Sequence, residues 1–115
     1  MTKRLITEVS GVVTAPVEQV WQALVGDRPA HVTKTELGDR TVAYQGGWWY
    51  RGEWSVTGHP EGARVEHRVY SVAGPYWAVA LANQLFIGYG ERTRQGFAEG
   101  ITRIAKQLGC SARLT

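Results

Sequence analysis

The stretch VVTAPVEQVWQAL, from Val12 to Leu24, contains the change from strand to helix that sets the order of the fold. The segment before it, Lys3 to Val13, is rich in β-branched residues in rough alternation, a pattern that predicts a strand. From Pro16 onward the period becomes helical, and proline suits the first helical position because an N–H there would have no partner. The chain therefore opens as a strand followed by a helix.

The predicted first helix has a single apolar face. Gly26 and Pro29 predict where this helix ends. Trp21 lies on this apolar face, so we expect it to be buried. The apolar residues recur at i, i+3, i+4, i+7 and i+8, and they are Val17, Val20, Trp21, Leu24 and Val25.

The region from Ala30 to Val72 predicts four strands joined by short turns. The strand-like segments are HVTKTEL, RTVAYQ, WWYRGEWSVT and RVEHRVYSV. The breaks between them contain glycine, proline or aspartate, which are the residues that tight turns select. Strands joined by links this short are antiparallel neighbours. The sequence therefore predicts an α+β protein built on an antiparallel sheet.

The pattern becomes helical again in the last third of the chain. YWAVALANQLF favours a short helix, and the segment from Glu91 to Leu108 predicts a long one that Gly109 ends. The apolar face of the long helix carries Phe97, Ile101, Ile104 and Leu108.

Two glycines interrupt this long helix. Gly96 and Gly100 lie four residues apart, so they share one helical face. Each costs about 1 kcal/mol relative to alanine in a helix interior. Either the pair admits a close approach of backbone or ligand, or it is simply tolerated, and the sequence leaves both interpretations open.

Length and composition fit one domain spanning residues 1–115. No stretch approaches the roughly 18 apolar residues that a membrane helix needs. The N-terminal apolar run is broken by Thr7, Glu8 and Ser10, which argues against a secretory signal. The single cysteine, Cys110, lies in a tail that we expect to be frayed, and one cysteine forms no disulfide within the chain. Together these features favour a cytoplasmic protein.

The net charge of +3 does not form a basic patch in the sequence. Basic residues are scattered among acidic ones, as in EHR, GER and AEGITR. Nucleic-acid binding needs basic residues clustered on one face. We therefore expect no nucleic-acid partner.

Two features together resemble the START-related, birch-pollen-allergen-like superfamily, also called SRPBCC or the helix-grip fold. Ala15-Pro16 followed by Val20-Trp21 is similar to the family's first helix, and GFAEGITRIAKQL is similar to its C-terminal helix. The polyketide cyclase/dehydrase and lipid-transport branch is the most similar in style. The resemblance covers nearly the whole chain and implies a curved sheet wrapped around the C-terminal helix. The meander is shorter than is usual in the family, so we expect a smaller, more open version.

In that family ligands lie between the sheet and the helix, and strand alternation then indicates which side chains face them. By this alternation Trp49, Arg51 and Glu53 face away from the helix. The resemblance implies that a small hydrophobic or aromatic molecule binds here, whereas the alternative is that the inward rings only fill the core. The residues expected to contact the ligand are Tyr44, Trp48, Tyr50, Trp54, His67, Phe97 and Ile101.

No motif identifies a catalytic mechanism, a metal site or a cofactor. The three histidines, His31, His59 and His67, lack metal-ligand spacing, and no serine lies in a nucleophile elbow. The resemblance implies at most polyketide cyclase or aromatase catalysis, which works by shaping and hydrogen bonding the substrate. His67 and Tyr50 are weak candidates for that role. A non-enzymatic protein-interaction module of the same fold is the alternative function.

The apolar segment from Tyr76 to Phe86 predicts self-association. A shortened sheet leaves few strands to cover this segment, and contiguous apolar surface typically marks an interface. We expect a homodimer with two-fold symmetry, with Trp49 exposed on the outer face. The alternative is that residues 76–87, as helix, strand or lid, close the cleft within one chain. The apolar residues of this segment are Tyr76, Trp77, Leu81 and Phe86.

Overall fold

The computed structural model describes residues 4–26, 34–46, 50–71 and 89–115, and these form an α+β architecture, as predicted. Neither helix in these ranges is long and apolar enough to cross a membrane. In chain order the elements are β1 (Arg4–Val13), α1 (Val17–Gly26), β2 (Lys34–Gly38), β3 (Thr41–Gly46), β4 (Tyr50–His59), β5 (Gly62–Ser71), α2 (Tyr89–Leu108) and β6 (Ala112–Leu114).

Several predictions concern residues outside these ranges. They are the short helix in YWAVALANQLF, the facing of Trp48 and Trp49, the position of His31, and the contact segment from Tyr76 to Phe86.

The described strands form one antiparallel sheet of six strands in the order β2-β3-β4-β5-β1-β6. The four-stranded meander β2 to β5 confirms the prediction from turn residues. β1 joins the sheet beside β5, the last meander strand, and a bulge between Leu5 and Thr7 shifts its register. Beyond the bulge, Val9 and Val13 lie in the core.

α1 follows the predicted apolar stripe but does not bury its tryptophan. The helix begins at Val17, one residue after Pro16, whose carbonyl accepts a hydrogen bond from the Val20 N–H at 3.1 Å. The buried residues of the helix are Val20, Ala23 and Leu24, whereas Trp21 is half-buried and packs against the edge of the core. The expectation of full burial is therefore wrong, because the ring lies at the margin of the stripe and is large.

α2 ends in a Schellman motif. Gly109 adopts a φ of 69°, in the left-handed region that favours glycine. Its N–H donates to the Lys106 carbonyl at 3.3 Å, and the Cys110 N–H donates to the Ala105 carbonyl at 2.8 Å. The prediction that Gly109 ends the helix is confirmed, and the turn directs the chain back toward β1.

The C-terminal tail is ordered into a strand, which corrects the expectation of fraying. Its residues 112–114 form β6 and pair with β1 in antiparallel register. The Thr14 N–H donates to the Ser111 carbonyl at 2.9 Å, and both guanidinium NH groups of Arg113 donate to the Glu61 carboxylate at 2.7 Å. Cys110, which we placed in the frayed tail, packs against the edge of the core.

The sheet and α2 come into close contact at Gly11 in β1. A Cβ at this position would lie 2.7 Å from Ile101 Cδ1 and 3.1 Å from Phe97 Cε2, as well as 2.7 Å from the Arg113 carbonyl oxygen. Phe97 and Ile101 are almost completely buried, at 2% and 1% exposure. The missing side chain at Gly11 therefore lets α2, β1 and β6 meet in van der Waals contact.

We predict that Gly11→Ala lowers the free energy of unfolding by about 1–3 kcal/mol, the usual effect of an extra methyl in a packed core. Gly58→Ala in β4 is the matched control, because no described atom lies within 4 Å of a Cβ there. The control should be neutral or slightly stabilising. Urea unfolding measures both variants, and wild-type stability of Gly11→Ala would contradict the close contact.

Candidate functional site

The face of the sheet that packs against α2 carries most of the predicted site residues. Trp54 stacks on Phe97 with 5.5 Å between ring centroids, so it points toward the helix. Arg51, three residues earlier, instead pairs with Glu36 and Glu53 at 2.7 and 2.9 Å. The predicted alternation along β4 is therefore confirmed.

Three rings form a nearly parallel aromatic cluster at the centre of this face. Trp54 and His67 are directly opposite each other on β4 and β5, with ring centroids 3.9 Å apart and planes at 23°. Phe97 lies 6.4 Å from His67 with planes at 5°. Trp54 is half-buried whereas the other two are buried, so the indole forms the accessible side of the cluster.

His67 is held as a neutral ring. Its Nδ1 lies 3.3 Å from the carbonyl oxygen of Glu53. A carbonyl accepts only, so Nδ1 carries the proton in this hydrogen bond and Nε2 is the unprotonated nitrogen. Burial lowers the pKa of His67 from 6.5 to about 4, because the charged form loses its hydration, and the hydrogen bond to Glu53 offsets only part of that effect.

Gly52 does not leave a gap for a ligand. The Tyr50 hydroxyl occupies the place where a Cβ of Gly52 would be, and His67 Cε1 lies 3.1 Å from the same point. The Tyr50 side chain therefore folds back over the glycine on the helix-facing side. Tyr50 lies on the predicted face, but its ring covers the backbone of its own strand.

A cleft of about 250 Å³ opens between the sheet and one flank of α2. Gly96 and Gly100 account for it, because no described atom lies within 4 Å of a Cβ at either position. Among the described residues, the glycines thus admit no close backbone contact with another element. The residues that line the cleft are Leu24, Tyr44, Trp54, Gly96, Gly100, Arg103 and Ile104.

The cleft includes only part of the predicted ligand-binding set. Tyr44 and Trp54 line it, whereas Phe97, Ile101 and His67 lie in the adjoining core. Sequence analysis missed Leu24 and Arg103. The helical spacing could have indicated Arg103, because Arg103 follows Gly100 by three residues and therefore lies on the same flank of the helix.

A larger hollow, of about 430 Å³, lies beside polar side chains on the other face of the sheet. Its charged side chains already pair with one another. Arg51 pairs with Glu36 and Glu53, and hydrogen bonding to Glu53 raises the pKa of the Arg51 guanidinium above its ordinary value. Arg68 pairs with Glu8 and Glu66 at 2.9 and 2.6 Å. Because Arg51 and Arg68 are already paired with carboxylates, we regard the smaller apolar cleft as the candidate site.

The described part of the chain offers no cluster of three or more histidine, cysteine or acidic residues that could hold a metal ion. A search of protein-family models, curated proteins and solved structures finds no match to this chain. The geometry of the cleft is therefore the feature that indicates a function.

We predict that the lowered pKa of His67 makes the protein less stable in mild acid. As pH falls from 6.5 to 4, histidine 67 takes up a proton in the unfolded chain but not in the folded one, so the free energy of unfolding falls. The loss should reach about 3 kcal/mol, at about 1.4 kcal/mol per unit of pKa shift, and no further loss from this group follows below pH 4. His67→Phe should remove this part of the pH dependence.

Urea unfolding of wild type and His67→Phe at a series of pH values tests this prediction. If the free energy of unfolding changed with pH equally in wild type and His67→Phe, the pKa of His67 would not be lowered as the structure implies.

Proposed function

We propose that this chain binds a small apolar or aromatic molecule in the cleft between the sheet and α2. The observation that carries the proposal is the open flank at Gly96 and Gly100, faced by Tyr44 and Trp54. Ligand sites are typically concave and mainly apolar, with a few polar groups. Leu24 and Ile104 supply further apolar wall, so the cleft has this chemical character.

The volume of the cleft favours a molecule of one or two rings. At about 250 Å³ it lies just below the range of roughly 300–1,000 Å³ typical of ligand pockets. An apolar cavity of about 150 Å³ is sufficient for benzene. A long acyl chain would need more room than the described residues enclose, so we favour a compact ring system.

The two glycines support the proposal on energetic grounds. Each lowers helix stability by about 1 kcal/mol relative to alanine, and a methyl group would meet no described atom at either position. Packing among the described residues therefore does not require glycine at 96 or 100. Local rules of this kind are typically broken where a protein has a functional site.

The order of the elements is compatible with the helix-grip fold that the sequence resembles. A first strand and helix precede an antiparallel meander, and a long helix follows it. In that family the ligand lies between the sheet and the long helix. The four-stranded meander agrees with a shortened member, which would enclose a smaller volume.

We propose binding without catalysis, because neither His67 nor Tyr50 is well placed for acid–base chemistry. A pKa of about 4 makes His67 a weak base at neutral pH, whereas general bases work best with a pKa near the working pH. The Tyr50 hydroxyl lies over Gly52, and Tyr50 is not among the residues that line the cleft. Polyketide cyclase activity would need other groups.

The homodimer and the cytoplasmic location stay predictions. The dimer was expected from Tyr76 to Phe86 and from Trp49, which all lie outside the described residues. Sedimentation over a concentration series tests the dimer. A mass that remains monomeric at micromolar protein would contradict it and favour the interpretation of residues 76–87 as a lid.

We predict that Gly100→Leu weakens ligand binding while leaving the protein folded. The leucine side chain would fill the cleft, so affinity for one- and two-ring aromatic probes should fall by roughly tenfold or more. Stability should be unchanged or higher by about 1 kcal/mol, because leucine is a better helix former than glycine. NMR titration with a panel of such probes measures affinity, and thermal unfolding measures stability.

Thr102→Leu is the matched control, since Thr102 is an exposed α2 residue that does not line the cleft. It should bind the same probes as wild type. If no probe shifts the resonances of Trp54 or Gly100 in the wild type, the proposed function is wrong. Equal binding by Gly100→Leu and wild type would place the ligand somewhere else on the molecule.

A further inference from the structure

One face of the Trp54 indole is left open by the other two rings of the aromatic cluster. The ring centroids of Trp54 and His67 are 3.9 Å apart, so the imidazole covers one face of the indole. Phe97 lies 5.5 Å from Trp54 and 6.4 Å from His67, so the directions from Trp54 to the two rings are nearly at right angles. Phe97 therefore lies beside the indole and not on its second face. Among the described residues, Trp54 makes its ring contacts with these two side chains alone.

The second face of the indole is directed toward the cleft. In the sheet, β4 lies between β3 and β5, and His67 covers the indole from the β5 side. The other face therefore points toward β3, the strand that contributes Tyr44 to the cleft. Val42 is opposite Trp54 on β3, but a valine side chain is much shorter than an indole and covers only the part nearest the sheet. Trp54 is half-buried and lines the cleft, which agrees with an indole whose second face borders this opening.

The helix side of the cleft has the shape that a flat molecule needs. Gly96 and Gly100 belong to the lining, and no described atom lies within 4 Å of a Cβ at either position. A planar ring system has room between the indole and this bare stretch of helix backbone, whereas a puckered saturated ring is thicker. Offset stacking on an aromatic face adds to the free energy that any apolar ring gains from burial.

From this geometry we infer that the cleft selects planar aromatic ring systems over saturated rings of the same size, and that Trp54 determines this specificity. The inference rests on the proposed function and narrows its ligand class from apolar rings to flat aromatic ones. The ligand ring takes the indole face that His67 leaves open and extends the parallel arrangement of rings. Burial alone gives no such preference, because a saturated ring has at least as much apolar surface.

The test compares two uncharged probes with the same two-ring carbon skeleton and one hydroxyl group, planar 2-naphthol and saturated decahydro-2-naphthol. We expect wild type to bind 2-naphthol roughly three- to tenfold more tightly, the ratio that offset stacking supplies. Trp54→Leu should bring the two affinities within about twofold, whereas Trp54→Phe, which keeps an aromatic face, should retain part of the preference. Ile104→Val is the matched control, because it changes an aliphatic part of the cleft wall and should keep the wild-type ratio.

Stacking also has a spectroscopic signature that a merely structural role of Trp54 would not produce. The ring current of the indole should shift the proton resonances of bound 2-naphthol upfield, and nuclear Overhauser contacts should join these protons to the Trp54 ring. Both are measured in wild type, so they test the inference even if thermal unfolding shows that Trp54→Leu does not fold.

The outcomes separate this inference from the proposed function. If wild type binds the two probes equally, or binds the saturated probe more tightly, the inference is overturned while binding in the cleft stands. The same conclusion follows if folded Trp54→Leu keeps the wild-type ratio, or if bound 2-naphthol shows no contact with the Trp54 ring. If neither probe binds wild type, both the inference and the proposed function are overturned.

Discussion

The contact between α2 and Gly11 is the constraint on which the rest of the structure depends. Since β1 has no side chain at this point, Ile101 and Phe97 rest directly on its backbone, and the C-terminal strand β6 pairs with the same segment. The close seating of the helix lets Phe97 reach Trp54, 5.5 Å away on β4. The absent side chain at Gly11 thus lets the helix lie close to β1 and β6.

The two flanks of α2 differ because different residues lack side chains on each. On the β1 side, Gly11 removes bulk from the sheet, and the helix fills the space with buried side chains. Toward β3 and β4, Gly96 and Gly100 remove bulk from the helix, and no described side chain fills that space. The first arrangement builds the core, whereas the second leaves the cleft between α2, Tyr44 and Trp54.

Sequence reasoning predicted the features that depend on long periodic patterns. Alternation along β4 placed Trp54 and Arg51 on opposite faces, because a strand has an exact side-chain period of two. It missed β6, since three residues are too few to show a period and the pairing with β1 joins distant parts of the chain. It also missed the role of Gly11, because a close approach between elements leaves no trace in local propensity. For Gly96 and Gly100 the sequence left two interpretations open, a close approach of backbone or ligand and simple tolerance, because local sequence does not show what packs against a helix.

The distribution of charged side chains distinguishes the outer face of the sheet from the cleft. On the other face of the sheet, Arg51 and Arg68 are each bound by two carboxylates, so their donors are largely used within the chain. The described lining of the cleft is instead mainly apolar and aromatic. Among the described residues, charged side chains thus pair on the outer face of the sheet, whereas Leu24, Tyr44, Trp54 and Ile104 make the cleft mainly apolar. That contrast favours the cleft over the outer face as the place where an apolar or aromatic molecule would bind.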